Sequence, residues 1–130
     1  MKLLLMVMAV VEAIVGLGFF IVPARTISAL LETELSTPGG MAMARLAGAA
    51  LISLAIACWL ARNSERGGAA TGVVTAMLFF NAAAAAVLVY AGIRLGLQSL
   101  MMWPAILIHC VLAGWCFMNL WVTRRKLAPT

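Results

Sequence analysis

The chain has 130 residues, 65% of them hydrophobic and 10% charged, with a formal net charge of +5 at neutral pH. Its mean hydropathy of +1.11 excludes an ordinary soluble domain, in which apolar residues make up about half. The length suits one domain, residues 1–130, with about four membrane spans and no soluble catalytic unit.

The first element, Leu3 to Val22, carries a single ionisable residue, Glu12, near its centre. About 20 residues at ~1.5 Å each give roughly 30 Å of helix, the thickness of a bilayer's hydrocarbon core. The run is too long for a signal peptide, Glu12 interrupts it, and no Ala-x-Ala site precedes Arg25, so it reads as a span and not as a cleaved leader. Pro23 is expected to end it. From Ala24 to Leu35, Ile27, Leu30, Leu31 and Leu35 recur at helical spacing, while Arg25, Glu32 and Glu34 take other faces. This predicts a short extracytoplasmic amphipathic helix, which either closes the end of the bundle or acts as a lid over a cavity. Ser36-Thr37-Pro38-Gly39-Gly40 should break it.

The second span runs from Met41 to Ala61, with Arg45 one turn inside its start and Trp59 as an interfacial anchor. Arg62 to Gly68 is a polar loop. The third span, Ala69 to Ala91, contains Asn81 and the run Ala82 to Ala86; its small residues permit close backbone approach and predict a central position. Leu100 to Val122 is the fourth span, with Pro104 in its first turn and Trp103 and Trp121 at its ends. Lys2, Arg62, Arg66, Arg124, Arg125 and Lys126 lie on one side, against Arg25 and Arg94 in the loops of the other. The positive-inside rule then puts both termini in the cytoplasm, and basic residues used for topology give no reason to expect nucleic acid.

Cys58, Cys110 and Cys116 all fall inside apolar stretches, with no Cys-x-x-Cys among them. No disulfide framework and no metal site are expected. The polar residues are more informative. Counted from the span edges, Glu12, Asn81 and His109 share the midplane, with Ser53 slightly deeper and Arg45 nearer the outer boundary. Each has small residues on its own face: Ala9 and Gly16 beside Glu12, Ala49 and Ala57 beside Ser53, Ala84 and Ala85 beside Asn81, Ala105 and Ala113 beside His109. The expectation is an inward polar layer formed by Glu12, Arg45, Ser53, Asn81 and His109. In it, Glu12 approaches His109 within hydrogen-bond reach, directly or through one water, and Arg45 either caps the interior or snorkels to the surface. The same residues serve equally as interhelical fasteners.

Glu12 and Gly16 in span one, Pro23 at its exit, Ala44-Arg45-Leu46-Ala47-Gly48 opening span two and Cys58-Trp59-Leu60-Ala61-Arg62 closing it resemble small bacterial four-helix membrane domains of unknown function, loosely DoxX-like. The resemblance implies a compact four-helix bundle and carries over no site residue. DoxX-like proteins are associated with quinone-linked sulfur oxidation in some systems and with redox-stress membrane complexes in others. No cofactor is expected here, quinone and haem included; haem would need Met ligation or a dimer, because His109 is the sole histidine.

The resulting expectation is an all-α integral membrane protein, a four-transmembrane-helix bundle in the bacterial inner membrane. Its leading function is non-catalytic: an accessory subunit, or a bundle that binds lipid or another hydrophobic ligand, with membrane lipids, a membrane-protein partner or a second copy as company. The alternative is an intramembrane enzyme or proton-coupled carrier with Glu12 and His109 as its candidate catalytic pair.

Overall fold

The computed structural model describes residues 1–64, 68–97 and 99–127, the side chains of 126 and 127 excepted. Arg66, Gly67 and the Lys126 side chain, which belong to the expected loop and basic end, lie outside that set. The described residues form helices α1 (Lys2–Ile21), α2 (Pro23–Leu31), α3 (Pro38–Ala61), α4 (Ala69–Arg94) and α5 (Met102–Leu127). Four of them, all but α2, are long and apolar enough to cross a membrane, and the fold is an all-helical bundle.

The element ends follow from local chemistry. Val22 leaves the helical region (φ −126°, ψ 54°) because the ring of Pro23 disfavours helical geometry in the residue before it. Pro23 then fits the first position of α2, where no N–H is needed. That helix stops at Glu32, which adopts the left-handed conformation (φ 49°, ψ 36°), so it is shorter than the expected segment to Leu35. Conversely, α3 begins three residues earlier than expected. The Thr37 hydroxyl accepts from the Gly40 amide at 3.1 Å and Pro38 takes the first position, so Gly39 and Gly40 lie inside the first turn.

The bundle is built from two antiparallel pairs, α1 with α3 and α4 with α5, which meet each other along sparser seams. The first pair is close because Gly16 and Gly48 face each other. A Cβ added at Gly48 would lie 2.6 Å from the Phe20 amide nitrogen and 2.7 Å from the Gly16 carbonyl oxygen, so the two backbones touch. The tightly packed core joins all four long helices in the half of the bundle nearest the termini. Leu5 and Met8 of α1, Cys58 of α3, Val74 and Met77 of α4, and Cys116 of α5 are fully buried there. The third span is not the central one. The span windows of α4 and α5 are each 17% buried, against 33% for α1, because α4's alanines line both its faces and leave Ala82 and Ala86 exposed.

Two aromatic–cation pairs mark the terminal end of the bundle. The Arg62 guanidinium stacks 3.7 Å from the Trp59 ring centre, and that of Arg125 lies 4.9 Å from Trp121. Such pairs hold an amphipathic ring and a charge together, the combination found at a membrane–water boundary.

Candidate functional site

Beyond the core, toward α2, a half-open cavity of about 590 Å³ lies between the two helix pairs. Its walls are apolar: Val15 and Phe19 of α1, Leu54 of α3, Phe80 and Leu88 of α4, Ile108 of α5. Ala50 and Ala84 widen it, because a methyl group stands where a larger side chain would fill the gap. Leu30 of α2 reaches it from the end. The volume falls within the range of small-molecule sites, roughly 300–1,000 Å³. Another cavity, of about 540 Å³, is lined only by residues of the α2 connection, among them Arg25, Ser28 and Glu34, and receives no side chain from the long helices.

The polar residues lie where the packed half gives way to the hollow half. Glu12 is 2% exposed, lines the cavity, and its Oε1 is buried without a hydrogen-bond partner. A buried carboxyl oxygen left unmatched costs free energy that a merely structural residue has no reason to impose. Asn81, fully buried, donates from Nδ2 to the Met77 carbonyl at 2.8 Å. Its Oδ1 is therefore free to accept, and lies 2.8 Å from His109 Nδ1. That pairing makes Nδ1 the protonated ring nitrogen and leaves Nε2 as a lone-pair acceptor in the neutral imidazole. His109 lines the cavity, and Phe80 packs edge-on against its ring at 6.0 Å.

The structure thus brings Glu12, Asn81 and His109 to one level, and it changes the expected partners. The direct Glu12–His109 hydrogen bond is not formed; Asn81 takes His109. Ser53 and Arg45 do not join the layer. Both are exposed and outside the cavity lining that α3 supplies through Ala47, Ala50, Leu51 and Leu54, and the Ser53 hydroxyl donates to its own helix at the Ala49 carbonyl, 2.9 Å away. They share a face, as their spacing of eight requires, but it is the face turned away from the cavity. Among the described residues Glu12 has no cationic partner, and Arg45 neither lines nor caps the interior.

One further residue was not singled out in the sequence. Ser99, 6% exposed in the connection before α5, accepts from the Met102 amide at 3.1 Å and donates to the Leu30 carbonyl at 2.6 Å. It caps the N-terminus of α5 and ties α2 across the hollow end of the bundle. A serine three residues ahead of a helical amide is the local signal for the cap, whereas the long-range bond to Leu30 has no sequence signature. None of the protein-family models, curated proteins or solved structures compared with the chain matches it.

Proposed function

We propose that this chain is a non-catalytic multi-pass membrane protein that takes up an apolar, membrane-dissolved molecule between its two helix pairs. The observation that carries the reading is the coincidence of an apolar cavity of about 590 Å³ with an unpartnered, almost fully buried carboxyl group at its floor. Apolar walls supply affinity and a few convergent polar atoms fix orientation, the usual division of labour in a small-molecule site. The sparse seams between the pairs offer entry from the lipid, and α2, held by Ser99, closes the end. An intramembrane proton-transfer site using Glu12 and His109 is the weaker reading, since among the described residues no hydrogen bond joins the two side chains.

The same proposal puts the protein in a bacterial inner membrane with both termini cytoplasmic, because Lys2, Arg62, Arg124 and Arg125 gather at one end. A periplasm-active reporter fused after Thr130 should stay silent; a signal from it would reverse the topology. The binding reading is tested by native mass spectrometry of the chain released from lipid nanodiscs. Wild type should carry a small apolar adduct, which Ala84→Trp, filling the cavity, should lose and Ala82→Trp on the exposed face should keep. Identical adduct patterns in both variants would refute it.

A further inference from the structure

We infer that the ligand class of this cavity is a lipophilic ammonium ion, a primary amine on an apolar body, held by Glu12. The inference rests on the reading that the cavity takes an apolar molecule and adds the chemistry of its head group. Among the described residues the cavity is lined by one acid and by no Lys or Arg. Arg45, the cation nearest in sequence to the α3 wall, is exposed on the other face of its helix. A carboxyl group in an apolar, membrane-embedded site either keeps its proton or meets a counter-charge, and among the described residues none stands at Oε1. An ammonium occupant supplies that counter-charge.

Charge also places other amphiphiles behind an amine. A fatty acid or a lipid phosphate would set a second anion beside Glu12 with no cation to separate them. A long-chain alcohol offers a single donor and no charge. An ammonium offers three donors and a full positive charge, enough for the carboxyl group and for the lone pair on His109 Nε2. The walls fit the same head group, since Phe80, packed against His109, lines the cavity at that level and aromatic rings attract cations in desolvated surroundings. From Glu12 to Phe19 the cavity runs roughly 10 Å along α1, so an alkyl chain attached to the amine lies against Val15, Leu54 and Leu88.

The test is equilibrium binding to the full chain in nanodiscs of zwitterionic lipid, using dodecylamine, dodecanol and dodecyltrimethylammonium as probes. Dodecylamine should bind saturably at one per chain and more tightly than either of the others, because only it combines charge with N–H donors. Glu12→Gln should weaken dodecylamine by roughly thirtyfold or more and leave dodecanol nearly unchanged. The comparison of three probes on wild type stands even if that variant folds poorly. If dodecanol binds as well as dodecylamine and Ala84→Trp abolishes both, the cavity reading survives and the ammonium assignment is wrong. If no probe binds saturably, or Ala84→Trp changes none of them, both fall.

Discussion

His109 Nδ1 lies 2.8 Å from Asn81 Oδ1, a bond that joins α5 to α4 midway along the bundle and fixes which ring nitrogen carries the proton. Because Asn81 Nδ2 is already committed to the Met77 carbonyl, the amide cannot flip without losing that bond as well. The histidine is thereby presented to the cavity with Nε2 as an acceptor. Nitrogen NMR of the imidazole should report the Nδ1-protonated tautomer in wild type. Asn81→Ala should lose it and destabilise the bundle by about 1–2 kcal/mol. A predominantly Nε2-protonated ring in wild type would contradict the assigned orientation.

Glu12 is expected to lower stability for the sake of the site. Replacing it by methionine, of similar length and without the unmatched oxygen, should raise the free energy of unfolding in nanodiscs by about 1–3 kcal/mol while removing amine binding. Ser53→Ala, at an exposed hydroxyl bonded within its own helix, should change stability by less than about 0.5 kcal/mol. A destabilised Glu12→Met variant would mean that the carboxyl group is a structural fastener.

Gly48 and Gly16 set the contact between α1 and α3. Gly48→Ala would place a methyl group against the Phe20 amide and the Gly16 carbonyl, backbone atoms that can retreat only if the helices separate. A loss of about 1–3 kcal/mol is expected, and Gly72→Ala, with nothing within 4 Å of the added carbon, is the neutral control. Thermal unfolding of the two variants side by side decides the matter, equal midpoints counting against the close approach.

Ser99 is the tie at the hollow end. Ser99→Ala removes the α5 cap and the bond to Leu30 together, so amide exchange over Pro23–Leu31 should accelerate while the core around Met8 and Val74 stays protected. Unchanged protection of α2 would show that apolar contacts alone hold it.

Much of this architecture is legible in the sequence, since four long apolar runs and an amphipathic interlude can be read from composition and period. The face of α3 is not. Ala44, Ala47, Ala49, Ala50, Ala55 and Ala57 surround that helix, so a small-residue criterion points in every direction and assigned Ser53 and Arg45 inward when they face out. The start of α3 differs from the expected one because two glycines read as a break, whereas the Thr37 cap offsets their cost. Depth counting brought Glu12, Asn81 and His109 to one level, yet the partner of His109 depends on how α4 is rotated, which the alanines of α4 leave open. The cavity itself lies between two helix pairs, a relation between distant segments that no local pattern encodes.

The most direct test of a ligand between the helix pairs is a nuclear Overhauser experiment on methyl-labelled protein in deuterated nanodiscs, with a protonated dodecyl chain added as the amine or the alcohol. Cross-peaks should join that chain to the methyl groups of Ala84 and Leu88 on the α4 wall of the cavity and of Leu54 on its α3 wall, and Ala84→Trp should remove them. Cross-peaks confined to the exposed Ile14 and Val111, with none to the cavity methyl groups, would mean that the chain only bathes the outside of the bundle.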